Sequence, residues 1–255
     1  MIGMSRHRFY AAPDEFDGGT VNLSQEETHH LVDVLRAKTG DHVYVFDGCG
    51  REYRVRFSAE KRKQAVLDVV DELSDAVESS LSLTLGQALA KGEKFDLIVQ
   101  KATELGVTRI VPLLTEFADV KLTAAQADKR LDRWRRISLE ALKQCGRRRL
   151  VEISSLASLG EFLSPYGSPA ESVLVFSEKG GAAVSDSFAR PRDKSSVGVL
   201  VGPEGGWSDR ELGLLREGGC SFVSFGPRIL RTETAAIVAV AIIQHVAGDL
   251  SRMNT

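Results

Sequence analysis

The chain has 255 residues, 43% hydrophobic and 27% charged, with a formal net charge of −2. That is the composition of a globular protein large enough for one or two hydrophobic cores, and its longest apolar run, Ala235 to Ile243, falls well short of the roughly 20 residues that a membrane span requires. No apolar stretch follows Arg6-His7-Arg8, so no secretory signal is expected, and Cys49, Cys145 and Cys220 show no C-x-x-C spacing that would predict a zinc site or a disulfide framework. Free thiols and a cytoplasmic location are the expectation, with no metal and no membrane.

Residues up to about 75 read as short strands punctuated by turns. Ser24 followed by Glu27 has the form of a capping box ahead of a helical stretch from His29 to Arg36. Val43 to Phe46, the turn Asp47-Gly48-Cys49-Gly50, and the alternating run Glu52 to Phe57 predict a hairpin with one solvated face. Ala65 to Val70 predicts a further strand. The acidic, serine-rich segment from Asp71 to Ser80 reads as a linker.

Beyond it, strands and helices alternate, which argues for a mainly parallel sheet. A strand over Leu81 to Leu89 precedes a helix over Glu93 to Leu105, with Phe95, Ile98, Ala102 and Leu105 on one face and Gly106 as its stop. The next strand, Arg109 to Leu114, contains Pro112, a sign of an edge or an irregularity. A helix from about Thr123 to Gln144 turns Leu131, Trp134, Ile137 and Ala141 inward and Arg130, Arg133, Arg135 and Arg136 outward. Strands over Val173 to Ser177, Val197 to Val201 and Ser221 to Phe225 follow. The last helix, Glu233 to Val246, is apolar nearly all round, as a buried helix or one packed on another subunit would be.

Two loops concentrate the features of a site. Val201-Gly202-Pro203-Glu204-Gly205-Gly206-Trp207-Ser208 and Phe225-Gly226-Pro227-Arg228-Ile229-Leu230-Arg231-Thr232-Glu233-Thr234 each join a strand to a helix, and in open α/β sheets ligands bind outside the carboxyl ends of the strands. Glycines allow close backbone approach. Ser208 with Glu211 forms a capping box. Ile229 and Leu230 are bulky apolar residues that a flat ring such as adenine would cover, while Arg231 and Glu233 flank an expected helix cap at Thr232 and could simply pair. The G-x-G-x-x-G, P-loop and G-x-S-x-G patterns are absent, which weighs against a dehydrogenase, a P-loop enzyme or an α/β-hydrolase. Between Lys129 and Arg149 lie nine basic and two acidic residues; either they form a solvated face or they grip phosphates. Adjacent His29 and His30 match no metal-ligand spacing.

Arg6-His7-Arg8-Phe9, His29-His30-Leu31 with Val34-Leu35-Arg36, Phe46-Asp47-Gly48, Gln100 to Val107, Arg133-Trp134, Glu140-Ala141 with Gln144-Cys145 and Arg147, and the two loops together resemble the ribosomal RNA small-subunit methyltransferase E family. The resemblance spans nearly the whole chain. It implies a PUA-like β-barrel over residues 1–75 that binds RNA, and a SPOUT-type α/β domain over 76–255 with a C-terminal trefoil knot. It further implies a homodimer and S-adenosylmethionine-dependent methylation of N3 of a uridine in 16S rRNA of the small ribosomal subunit.

By position, cofactor contacts fall on Phe176, Ser177, Glu178, Val201, Gly202, Pro203, Glu204, Gly205, Gly206, Phe225, Gly226, Ile229, Leu230, Arg231 and Thr234. Arg231 is the expected stabiliser of developing negative charge, with Glu204, Glu233 or water as proton acceptor. Arg6, Arg8, Arg36, Arg147, Arg148 and Arg149 are the expected RNA contacts. A non-enzymatic RNA-binding protein of the same fold, or a methyltransferase acting on another RNA position, remains open.

Overall fold

Period-two patterning in the N-terminal part and strand–helix alternation beyond it produce two different sheets. In a computed structural model, which describes residues 7–74, 78–118, 120, 122–166, 172–178, 180–184 and 196–251, the chain divides into two compact units: residues 1–78 with 142–150, and residues 79–141 with 151–255. The return of 142–150 to the first unit corrects the sequence reading, which assigns everything after residue 75 to the second.

The first unit holds β1 (Arg8–Tyr10), β2 (Phe16–Asp17), β3 (Thr20–Asn22), β4 (His42–Phe46), β5 (Glu52–Lys61) and β6 (Gln64–Glu72). They form one sheet in the order β1-β4-β5-β6-β3-β2, antiparallel except for the parallel β1–β4 pair. Phe9, Val21, Leu31, Val45, Val55 and Leu67 face a common core. The solvated face carries cross-strand ion pairs, Arg54–Asp71 at 2.8 Å and Arg56–Asp68 at 2.9 Å. The β4–β5 turn is held by Asp47, whose Oδ1 accepts from the amides of Cys49, Gly50 and Arg51. Helix α1 (Gln25–His29) is capped by Ser24, which accepts from the Glu27 amide at 3.2 Å. The expected capping box is only half made, because the Glu27 carboxylate is buried and pairs with Lys143 instead. His29 bonds Asp33 one turn on at 2.7 Å, in solvent.

The arginines read as RNA contacts turn inward here. Glu52, 3% exposed, pairs with Arg8 Nε at 2.5 Å and Arg148 Nε at 3.1 Å. Arg8 also donates to the carbonyls of Leu142 and Arg147, and its guanidinium lies over the Phe46 ring. Arg147 is held by Glu78, whose other oxygen accepts from the amides of Arg148 and Arg149. Arg8, Arg147 and Arg148 are therefore buried structural cations, and a buried guanidinium committed to a carboxylate of the same unit cannot also grip a phosphate. Arg36 and the Arg149 side chain remain exposed; Arg6 lies outside the described residues.

The second unit holds β7 (Ser82–Ala88), β8 (Arg109–Leu113), β9 (Glu152–Ile153), β10 (Val173–Phe176), β11 (Ser196–Val201) and β12 (Ser221–Val223), with helices α2 (Lys94–Glu104), α3 (Ala124–Cys145), α4 (Leu159–Leu163), α5 (Asp209–Glu217) and α6 (Thr232–Ala247). The last turn of α3, from Leu142, belongs to the first unit. The sheet order is β12-β10-β11-β7-β8-β9, and every pairing is parallel. Buried Phe95 and Ile98 on α2 meet Trp134 on α3, the Phe95 and Trp134 rings lying 4.1 Å apart. Pro112 is tolerated because β9 pairs only with Arg109 and Ile110, leaving no ladder partner for the missing N–H. Helix α6 buries Ala236, Ala239, Val240 and Ile243. No helix among the described residues is long and apolar enough to cross a membrane.

Replacing Glu52 by Ala strands two buried guanidinium groups, so the variant is expected to lose about 3–5 kcal/mol of stability. Urea denaturation of Glu52→Ala should show a lower midpoint at an unchanged slope; a midpoint within error of the parent would refute the assignment of Glu52 as the keystone of the first unit.

Candidate active site

Parallel pairing brings the strand ends of the second unit into one row. In register, Val223 of β12 stands beside Phe176 of β10, Phe176 beside Val201 of β11, and Val201 beside Gln87 of β7. The residues that follow, Ser177, Gly202 and Ser224, therefore leave the sheet at a common edge, where loops can converge on a ligand. A cavity of about 290 Å³ opens there, near the small end of the ~300–1,000 Å³ typical of ligand pockets.

Of the residues expected from sequence to bind a cofactor, Phe176, Ser177, Glu178, Val201, Gly202, Pro203, Glu204, Gly206, Phe225, Gly226, Ile229, Leu230 and Arg231 all line this cavity. Gly205 and Thr234 do not: Gly205 faces Phe117, which a Cβ would meet at 3.0 Å, and Thr234 is exposed. Trp207, Leu212, Ser224, Arg228, Thr232 and Ala235 complete the wall. Trp207 and Arg228 stand inside the two loops already singled out, so they could have been included. Ser224 and Leu212 lack any local signal.

The wall combines apolar and charged side chains. Phe176 and Phe225 stack at 4.3 Å with a 17° interplanar angle. Ile229 is 80% exposed, a large apolar side chain with nothing over it. Gly202 packs against the Trp207 indole so closely that a Cβ would come within 3.2 Å of it, and Gly206 sits at φ +72°, where other residues are strained. Trp207 Nε1 reaches the Phe176 carbonyl at 3.4 Å, which ties the loop after β11 to the end of β10. Ser208 and Glu211 form the full reciprocal capping box expected at the start of α5.

The start of α6 differs from its expected form. Arg231, not Thr232, is the cap residue, in extended conformation and with no side-chain cap bond. Thr232 is buried, and its hydroxyl donates to the Gly202 carbonyl at 2.7 Å and accepts from Gln87 Nε2 at 3.0 Å. Nor do Arg231 and Glu233 pair. The cation beside Glu233 is Lys94, the first residue of α2, at 3.8 Å, and the same ammonium bonds Glu204 at 2.8 Å. The bond to Glu204, and behind it the nearby Glu233 charge, push the Lys94 pKa up despite some desolvation and the opposing Arg231 charge. Lys94 and Gln87 are not legible in the sequence: Gln87 is a single polar residue near the end of β7, and Lys94 is one of three charged residues in Lys91-Gly92-Glu93-Lys94, with no motif around either. No cluster of metal-ligating side chains occurs among the described residues.

Family models match the chain in two places: an RNA methyltransferase PUA domain over residues 23–70 and an RNA methyltransferase domain over residues 77–244. The ribosomal RNA small subunit methyltransferase E of Synechocystis is 34% identical over 238 residues, covering 93% of this chain and 77% of the relative. A crystal structure of the enzyme of that name from Neisseria gonorrhoeae, bound to S-adenosyl methionine, superposes with a TM-score of 0.85 at 34% identity, over 96% of this chain and 99% of the other. A methyltransferase from Legionella pneumophila, solved with its bound cofactor SAM, superposes with a TM-score of 0.86 at 33% identity, over 97% and 100%.

Thr232→Val keeps the shape of the side chain but leaves the Gln87 amide and the Gly202 carbonyl, both drawn to one hydroxyl, short of a partner. Its expected cost is about 1–3 kcal/mol, read as a lower melting temperature by calorimetry. An unchanged melting temperature would show that the hydroxyl does not tie the loops.

Proposed function

The chain belongs to the ribosomal RNA small subunit methyltransferase E family, and we propose that it methylates N3 of one uridine in 16S rRNA within the small ribosomal subunit. The coarser activity, S-adenosylmethionine-dependent methylation of rRNA, comes with the family and with the cofactor-bound relatives. The homodimer, the trefoil knot and the cytoplasmic setting that the resemblance implies belong to the same proposal.

The observation that carries the reading is the cavity at the strand ends, lined by apolar and charged side chains. Its residues fit S-adenosylmethionine chemically. The stacked Phe176–Phe225 pair with Leu212, Ile229 and Leu230 offers apolar surface to a purine, and Glu178 and Glu204 offer negative charge to a sulfonium and an ammonium. Arg228 offers a guanidinium to a carboxylate. The cofactor supplies, when bound, a methyl group made electrophilic by the positive sulfur. What remains for the protein is to position the base and to manage one proton.

Uracil N3 carries that proton at neutral pH, and its removal spreads negative charge onto O2 and O4. Arg231 suits the stabilising role, because its guanidinium stands at the cavity with no ion partner among the described residues. The acceptor of the proton is one of the neighbouring carboxylates, Glu204 or Glu233, or water. For the RNA, the exposed Arg36 and Arg149 of the first unit take the role that Arg8, Arg147 and Arg148 cannot. Lys61, Arg62 and Lys63, exposed at the tip of the β5–β6 hairpin, are further cations of that unit open to RNA, and the grip is expected to weaken with salt.

Radiolabelled methyl transfer to small subunits lacking their native uridine methylation, with naked rRNA alongside, tests the proposal. Label recovered as N3-methyluridine in 16S rRNA is the expected result. Label on another nucleotide, or none despite calorimetric cofactor binding, would send the activity to another RNA position.

Arg231→Ala should lower turnover by about 10²–10³-fold, the cost of losing one oxyanion donor, while calorimetry shows cofactor affinity largely kept. A normal rate would remove Arg231 from the reaction.

A further inference from the structure

The outward face of α3 is strongly cationic. Lys129, Arg133, Arg135 and Arg136 are exposed and Arg130 is half-buried. Arg135 pairs with Asp132 on its own helix at 3.2 Å, and Arg133 pairs with Asp96 of α2. Lys129, Arg130 and Arg136 have no ion or hydrogen-bond partner among the described residues. A second cavity, of about 240 Å³, lies between the start of α2 and this helix, lined by Glu93, Phe95, Asp96, Arg130, Arg133 and Trp134. One of its cations is braced. Trp134, 1% exposed, donates from Nε1 to Asp96 Oδ1 at 3.0 Å, and Asp96 Oδ2 accepts from Arg133 Nε at 2.8 Å. Two of the five guanidinium N–H groups at most meet that oxygen, which leaves the others open. The Asp96 bond, with a smaller push from the Glu93 charge, raises the Arg133 pKa. An exposed arginine ordinarily loses entropy when it takes up one geometry. A guanidinium held through Asp96 to a buried indole is set in advance, as bidentate recognition of phosphate requires.

We propose that this cavity is a second RNA subsite, on the methyltransferase unit itself, where Arg130 and Arg133 grip a phosphodiester of the rRNA beside the target nucleotide. Lys94, between the lining residues Glu93 and Phe95, bonds Glu204 in the wall of the first cavity at 2.8 Å. The start of α2 thus adjoins both cavities, which suits neighbouring nucleotides of one strand. Lys129 and Arg136 stand four residues before and three after Arg133, on the same face of α3, and extend the positive surface along the helix. Glu93 is the lining group that opposes a phosphate by charge. The subsite rests on rRNA as the substrate and is independent of which uridine atom takes the methyl group.

Crosslinking tests the contact directly. Arg130→p-benzoylphenylalanine, irradiated on under-methylated small subunits with S-adenosylmethionine, should crosslink to 16S rRNA close to the nucleotide that the parent enzyme labels, read by primer extension. The same group at Arg210, an exposed cation of this unit that lines neither cavity, should give no such crosslink. Kinetics test the charge. Arg130→Gln should raise KM for the subunits about tenfold or more, the loss of one charge-assisted hydrogen bond. It should also lower the slope of log affinity against log salt by about 1. Its melting temperature and its cofactor Kd should stay at the parental values, since Arg130 holds no other residue. Glu93→Gln should move KM in the opposite direction, and Arg210→Gln should leave it where it is.

A crosslink to a ribosomal protein, or to rRNA far from the labelled nucleotide, would overturn the subsite. So would an Arg130→Gln enzyme with parental KM and salt slope, or a loss that Arg210→Gln matches. Both readouts follow RNA capture, so label found on another atom or nucleotide would overturn the uridine-N3 reading while the crosslink beside that label upholds the subsite. A parent enzyme that labels no rRNA would overturn the two together.

Discussion

The cavity depends on one buried hydroxyl. Thr232 Oγ1 joins the end of β7, through Gln87, to the first residue after β11, Gly202, and does so from the first residue of α6. Three segments far apart in sequence are thereby fixed at one point, and two of them form cavity wall. Gln87 is fully buried, so its amide has no water to fall back on, and its Nε2 divides its donors between Thr232 and the Ala88 carbonyl. A parallel sheet supplies the common edge, but register alone sets only where the strands end. The Thr232 hydroxyl, together with the Trp207 reach to the Phe176 carbonyl, sets how the loops beyond the edge stand against each other.

The first unit solves a different problem with charge. Its sheet closes over an apolar core, yet at its heart a nearly buried Glu52 holds two guanidinium groups. Burying ions is expensive, and such a cluster holds only if every lone pair and every N–H finds a partner. Here the surplus donors of Arg8 go to the carbonyls of Leu142 and Arg147, and one from Arg148 goes to Leu73. The cluster therefore pins residues 142–150 to the strands by main-chain as well as side-chain bonds. It turns Arg147 and Arg148 into internal structure, while Arg36, Arg149, the β5–β6 tip and the α3 residues Arg133, Arg135 and Arg136 face solvent.

That inversion marks the limit of what the sequence could reveal. Local features were legible: the Asp47 turn, the hairpin it closes, the Ser208–Glu211 capping box, the inward face of α2, and two strand-to-helix loops that together supply most of the cavity wall. Each depends on residues within a few positions of one another, where periodicity and turn chemistry act. The destination of Arg147 and Arg148 depends on Glu78 and Glu52, 69 and 96 residues earlier. The half-made capping box at Ser24 fails for the same reason, since Glu27 is claimed by Lys143, 116 residues on. Lys94 and Gln87 acquire meaning only when parallel pairing sets the end of β7 beside β11. A charge density read along the chain cannot tell a solvated face from a buried ion cluster, because the acids that decide it are supplied by topology.

The same reasoning explains why Arg231 and Glu233 do not neutralise each other, as their spacing invites. Arg231 is extended, with φ −63° and ψ 151°, whereas Thr232 begins the helix. The chain changes direction between them, and side chains two apart do not share a helix face in any case. Arg231 consequently lines the cavity, while Glu233, two residues on, lies beside Lys94. Had the helix begun one residue earlier, the cation would have lost its extended reach and the helix its break. A helix that starts at a buried threonine thus leaves the cation at the cavity and its neighbouring anion beside a different partner.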